Sequence, residues 1–222
     1  MTAETSNHSH FAVAIDGPAA SGKSTLAREL ARRLGLVMVN SGAMYRAVTW
    51  KVLRENVDPH DTPAVVGLLD RIDISCGRDG MFSTIAIDGA DPGDELRGED
   101  VNQHVSAVSA IPEVRERLID LQRHYLDHSS IVMEGRDIGS VVFPDTPFKI
   151  YVDACAEVRA ARRAKDGEVD SVARRDKLDS ARKTAPLVVA QGATVLDNSH
   201  HTIESGVQAA IDILRNQGLR IE

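Results

Sequence analysis

Apolar residues gather in short runs at Phe11–Ile15, Leu36–Val39, Ile131–Met133, Phe148–Val152 and Thr194–Leu196. Runs of this length without polar alternation predict strands buried on both faces. Between most of them apolar positions recur at helical spacing, as with Leu26, Ala27, Leu30, Ala31 and Leu34 after the first run and Ile203, Val207, Ile211 and Leu214 after the last. This alternation predicts the α/β class, with a three-layer α/β/α arrangement around a five-stranded parallel sheet. The interval between the second and third runs is too long for one crossover. Inside it Ile72–Ser75 and Thr84–Ile87 flank Gly77-Arg-Asp-Gly80 and predict a small β-containing insertion. The turn-rich stretch Asp88-Gly-Ala-Asp-Pro-Gly93 leads out of it into two helical stretches divided near Pro112, the second with Val114, Leu118, Leu121 and Tyr125 on one face. From Ala161 to Ala185 the chain is dense in Arg and Lys and nearly without large apolar residues, which predicts an exposed segment. There is no internal repeat.

Composition narrows the class. With 222 residues, 42% of them hydrophobic, the chain is read as one domain with a substantial core. A charged fraction of 27% and a net charge of -7 argue against a general nucleic-acid surface and point to small-molecule partners bound by local basic clusters. Cys76 and Cys155 have neither metal-ligand nor redox spacing and are expected to be reduced thiols. The first ten residues lack the apolar centre of a signal peptide and are expected to be a disordered tail, and no run is long enough to span a membrane. The expected location is the cytoplasm.

The segment Gly17-Pro-Ala-Ala-Ser-Gly-Lys-Ser24 fits G-x-x-x-x-G-K-[ST] and lies between the first strand and the first helix. Backbone N–H groups of such a loop cradle phosphates, the Lys reaches the terminal ones and the hydroxyl takes Mg²⁺. Gly17, Pro18, Ala19, Ala20, Ser21, Gly22, Lys23, Ser24 and Thr25 are therefore assigned to the phosphates of a nucleotide, Lys23 to charge neutralisation and Ser24 to Mg²⁺. The Asn-Lys-x-Asp guanine signature is absent and Phe148–Asp153 makes a doubtful magnesium-binding strand end, so a GTPase switch is disfavoured. Arginines occur on separate segments, at Arg46, Arg97, Arg115, Arg136, Arg175 and Arg182. Phosphoryl transfer requires this chemistry, because catalysis there is mainly positioning and charge clamping, which guanidinium groups supply bidentately.

These segments together resemble bacterial cytidylate kinases: Asp16-Gly-Pro-Ala-Ala-Ser-Gly-Lys-Ser-Thr25, Asn40-Ser-Gly-Ala-Met-Tyr-Arg46, Glu134-Gly-Arg-Asp-Ile-Gly-Ser-Val-Val-Phe-Pro144, Arg175-Asp-x-x-Asp179-x-x-Arg182 and Ala185-Pro-Leu187. The resemblance spans residues 11 to about 214 and implies transfer of the ATP γ-phosphoryl group to CMP or dCMP. It also implies a domain over 11–222, with a core of 11–61, 105–160 and 186–222, a monophosphate-binding insertion near 62–104 and an Arg-rich helical lid near 161–185. Ser41 and Arg46 resemble residues that receive the monophosphate, with Tyr45 beside them, and Arg136 another phosphate contact. Ser106, Arg115 and Asp137 match positions around the cytosine, Arg175 and Asp179 the pair that meets the pentose, and Arg182 a lid arginine. Arg97 aligns with a motif arginine of less certain role, and Lys23, Arg136, Arg175 and Arg182 take the catalytic roles. A monomer is expected.

The same residues admit plainer readings. Arg175, Asp179 and Arg182 share a helix face suited to exposed ion pairs, Tyr45 suits an ordinary core position, and Asp137 suits a turn cap. Glu134 suits contact with a magnesium-bound water or pairing with Lys23, while His200 and His201 read as solvated loop residues. Two departures from the family pattern stand out: Asn40 where Asp is frequent, and Ser180-Ala181 where polar or basic residues are common.

Overall fold

The computed structural model describes residues 10–165, 176 and 185–220. Arg175, Asp179, Arg182, most of the expected lid and the expected tail over residues 1–9 lie outside the described residues. His10, the last residue of that tail, sets its ring Nδ1 2.8 Å from the carbonyl oxygen of Leu126.

In chain order the elements are β1 (Ala12–Asp16), α1 (Lys23–Leu34), β2 (Val37–Asn40), α2 (Ser41–Arg54), α3 (Thr62–Leu69), β3 (Ile74–Asp79) and β4 (Phe82–Ile87). A 3₁₀ turn at Gly93–Arg97 precedes α4 (Glu99–Val108) and α5 (Pro112–Arg123). Then come β5 (Ile131–Gly135), a π-helix at Ile138–Val142, β6 (Lys149–Asp153), α6 (Ala156–Lys165), β7 (Thr194–Asp197) and α7 (Ile203–Asn216). The strand order is β3-β4-β2-β5-β1-β6-β7.

The sheet thus has seven strands, not the expected five. The five apolar runs form its parallel body, and the insertion's antiparallel hairpin extends it along β2. The join is short: Met38 faces Phe82, the Met38 N–H donates to the Met81 carbonyl at 2.7 Å, and the Asn40 N–H donates to the Ser83 hydroxyl at 3.2 Å. An open strand edge presents unpaired backbone groups, and the hairpin satisfies them.

Side chains alternate between two apolar layers. Val13 and Ile15 of β1 pack with Leu26, Leu30, Val207 and Leu214 of α1 and α7, while Ala12 and Ala14 face Met133, Ile138 and Phe143 on the other side. A third cluster joins α2, α3, the hairpin, α4 and α5 around Trp50, Ile87, Val108 and Leu118. Each Val, Leu, Ile, Met or Phe side chain among them contributes about 1.5–3 kcal/mol on burial. The expectation of a wholly exposed segment from Ala161 onward fails at α6, where Arg163 is only 8% exposed. An arginine's apolar stem can be covered while its head group keeps polar company.

Candidate active site

The loop between β1 and α1 leaves the C-terminal edge of the sheet at its centre. Gly17 has φ 154, and a Cβ built there would stand 2.1 Å from the Val152 carbonyl oxygen, so strand β6 and the loop touch backbone to backbone. Ala20 is held at φ 58, a left-handed conformation that side chains rarely adopt. The loop is braced from behind. The Ser21 carbonyl accepts from Arg162 Nη1 at 2.9 Å and from Asn198 Nδ2 at 2.8 Å, and Arg162 Nη2 donates to the Asn198 carbonyl at 2.8 Å.

Lys23 is buried, its Nζ donating to the Pro18 carbonyl at 3.1 Å and lying 4.0 Å from Glu134 Oε2. The Ser24 hydroxyl donates to Glu134 Oε1 at 2.8 Å. Of the two plainer options for Glu134, the structure shows the pairing with Lys23, and it adds the bond from the Ser24 hydroxyl. A hydroxyl and a carboxylate are hard oxygen donors of the kind Mg²⁺ selects, with phosphate oxygens and water completing its shell. Among the described residues there is no cluster of three or more His, Cys, Asp or Glu suited to a metal. The donor set therefore fits an ion that arrives with a phosphate.

Strand β5 delivers the second half. Register places Asp16 beside Gly135, so the residues after β5 emerge next to the loop. Arg136 Nη1 donates to the Gly17 carbonyl at 3.0 Å. Arg115 of α5 and Asp137 are both buried and form a salt bridge through Nη2 and Oδ2. Arg115 Nη1 also donates to the Ser109 carbonyl at 3.2 Å, and its guanidinium carbon stands 5.4 Å from the centroid of the Tyr45 ring. The Ser41 hydroxyl donates to the Glu134 carbonyl at 2.8 Å, and Asn40 caps α2 by accepting from the Ala43 N–H at 3.0 Å. Asn40 therefore acts as a helix cap, which a neutral amide does as well as a carboxylate.

Three expected residues stand further off. Arg46 Nη1 donates to the Leu96 carbonyl at 2.9 Å. Arg97, at the end of the 3₁₀ turn, is exposed, and its own carbonyl accepts from Asn102 Nδ2 at 2.8 Å. Ser106 is half-buried on α4, and its carbonyl accepts from the Ser109 hydroxyl at 3.3 Å, one step from Arg115.

Five residues at the site escaped the sequence reading as contributors: Asp16, Arg159, Arg162, Asp176 and Asn198. Asp176 accepts from the Ala19 N–H at 3.1 Å and pairs with Arg159, whose Nε donates to the Ala154 carbonyl at 3.0 Å. The Asp16 carboxylate accepts from the backbone N–H groups of Ile138 at 2.7 Å and Gly139 at 2.8 Å. Burial, above all, pushes its pKa up to about 7; Asp137 pushes the same way, and the two N–H groups and Lys23 oppose it. Their signal was positional, because Asp16 and Asn198 follow apolar runs at the edge of the sheet where ligands of such folds bind.

A phosphate-binding loop at the centre of a parallel sheet, facing arginines and a buried acid from neighbouring strand ends, defines a P-loop kinase. The chain belongs to the cytidylate kinase family, whose profile matches residues 13–216. It is 42% identical over 214 residues to a cytidylate kinase of Caldanaerobacter subterraneus subsp. tengcongensis, covering 91% of this chain and 94% of that protein. It is 43% identical over 217 residues to the Mycobacterium leprae cytidylate kinase, covering 92% and 96% respectively. Among solved structures, shikimate kinase from Acinetobacter baumannii aligns at a TM-score of 0.48 and 12% identity, over 95% of this chain and 96% of that one. Among the described residues no helix is long and apolar enough to cross a membrane.

Proposed function

We propose that this chain transfers the γ-phosphoryl group of ATP to CMP or dCMP, giving CDP or dCDP and ADP. The observation that carries this reading is the buried Arg115–Asp137 pair, one residue from Arg136 and hence from the ATP loop. A carboxylate has several acceptor directions, so Asp137 can hold Arg115 and still accept from the 4-amino group of cytosine. Uracil presents a carbonyl there and would leave the acid facing an acceptor, a mismatch that discriminates strongly.

The phosphate oxygen of the monophosphate is already anionic near neutral pH, so the transfer calls for no side-chain base. Ser41, Arg46 and Arg136 receive that phosphate, Tyr45 packs beside it, Ser106 stands with Arg115 and Asp137 around the cytosine, and Arg97 is a further motif arginine on the side of CMP. Lys23 neutralises charge on the transferring group. Arg175, Asp179 and Arg182, outside the described residues, take the pentose and the phosphates from the lid near 161–185. Mg²⁺, held by Ser24 with Glu134 behind it, would supply neutralisation of the ATP phosphate oxygens. The working form is a cytoplasmic monomer.

A coupled assay of ADP release across CMP, dCMP, UMP and AMP tests the reading. Turnover per unit concentration of CMP should exceed that of UMP by at least about 100-fold. AMP as the best acceptor, or ATP hydrolysis with no acceptor phosphorylated, would sink it.

A further inference from the structure

We propose that Asp16 is a positioning residue for phosphoryl transfer, one that registers the turn carrying Arg136 and Asp137 against the ATP loop. It touches neither nucleotide, and the proposal rests on the function proposed above. Asp16 ends β1, directly before the first loop glycine, and is 4% exposed. Its two oxygens take the first two N–H groups of the π-helix Ile138–Val142, one each. The first N–H groups of any helix lack intrahelical partners, and here no side chain at Asp137 caps them. They are satisfied by a residue 122 positions before Ile138 and 123 before Gly139.

The adjacent residue adds a second tie, since the Gly17 carbonyl accepts from Arg136. Two consecutive residues on the ATP side therefore grip both flanks of the turn that presents Arg136 and Asp137. The fit is tight: a Cβ at Gly139 would stand 3.2 Å from Lys149 Cδ and 3.3 Å from Asp16 Oδ2, so its neighbours would have to give by a few tenths of an ångström. The residue type is specific as well. Only a carboxylate presents two acceptors and no donor to two converging N–H groups, whereas an amide would turn an NH₂ toward one of them.

The carboxylate is costly where it stands, because burial holds its pKa near 7. The charged and titratable groups that act on it are Lys23 of the loop and Asp137 on the turn, with Tyr151 in register beside it on β6, where Asp153, Asp176 and Arg136 also act; Glu134 lies one register position away on β5. Lys149 of β6 passes its stem by Gly139 and donates Nζ to the carbonyls of Pro144 at 2.5 Å and Gln191 at 3.1 Å. A role confined to stability would be served as well by a neutral side chain; fixing two half-sites in register requires both bonds.

The test is Asp16→Asn, which keeps the volume and one acceptor. With saturating ATP and CMP, kcat should fall at least about tenfold, since misplacing reacting groups by even a fraction of an ångström is expensive in rate. Dissociation constants for ATP alone and CMP alone, measured by titration calorimetry, should stay within about threefold, because each half-site remains intact. The wild-type to Asp16→Asn ratio of kcat should rise between pH 6 and pH 8; ionisation of the CMP phosphate, near about pH 6, is common to both proteins and cancels. Gly139→Ala keeps the Asp16 carboxylate but sets a methyl group 3.3 Å from its Oδ2, which strains the contact between Asp16 and the turn, and should show the same split between rate and binding in milder form. An Asp16→Asn enzyme with kcat within twofold of wild type overturns the proposal, as does a loss confined to binding. If that variant does not fold, Gly139→Ala decides, and an unchanged kcat overturns it. The wild-type rate in the same assay separates the two readings: no CDP from wild type overturns both, whereas CDP from wild type and an unimpaired Asp16→Asn overturns only the role of Asp16.

Discussion

Asp16 shows how one buried charge ties stability to pH. Its folded pKa is raised to about 7 from an ordinary 3.8, so the folded state keeps a proton that the unfolded chain has already released. Its contribution to stability is therefore complete below about pH 4 and is lost as the pH rises through 7, on the order of 4 kcal/mol across the window. Urea unfolding at pH 5 and pH 8 should show wild type losing more stability over that interval than Asp16→Asn, and equal losses would refute the assignment. Asp16 is present in the segment Asp16–Thr25 that marks the loop, yet adjacency to Gly17 says nothing of Ile138 or Gly139. Arg115 and Asp137 were each legible in the chain as positions that the family resemblance sets around a base. That they pair with each other was not, because 22 positions separate them and only the packing of α5 against the π-helix after Asp137 joins them.

The strands and the loop were legible at the scale of the element for different reasons. Strands buried on both faces must be nearly continuous apolar runs, so β1, β2, β5 and β6 fall within a residue or two of the runs that predict them; β7 matches its run too, but as an edge strand it buries only Leu196 and leaves Val195 exposed, against the expectation of burial on both faces. The hairpin is less determined, and β3 begins two residues after its run and continues through Gly77, Arg78 and Asp79, where exposure leaves the pattern polar. The loop depends on a contact rather than a pattern. Gly17→Ala forces a methyl group against the Val152 carbonyl, and neither backbone can yield without shifting the loop from β6. The expected outcome is a destabilisation of about 2 kcal/mol or more in urea unfolding, with a loss of ATP turnover larger than that loss of stability explains. Near-normal turnover would show that the loop does not need its seat on β6.

Across the whole molecule, the parallel body and the insertion should differ in stability. The hairpin joins β2 at one register pair and exposes Phe82 and the tip around Gly80, whereas β1 and β5 are buried at every position. Hydrogen exchange should therefore show amides of β3 and β4 opening at least about 100-fold more readily than those of β1 and β5, the mark of a unit that opens without global unfolding. Uniform protection over all seven strands would contradict this. The 3₁₀ turn that carries Arg97 offers the Leu96 carbonyl to Arg46, so opening there would release Arg46 from that bond.

Local order in the chain was enough to determine the phosphate-binding loop, the alternation of strand and helix, and the set of arginines suited to phosphoryl transfer, because periodicity and motif spacing are written by neighbouring residues. The tertiary structure alone decided that the hairpin would extend the sheet to seven strands, that Glu134 would meet both Lys23 and Ser24, and that Asn198 would brace Ser21 from 177 positions away. It also decided that Asp16 would cap a helix beyond β5. Such contacts exist only once strand order brings distant segments to one edge of the sheet, and burial there turns an inconspicuous acid into a group that joins two half-sites.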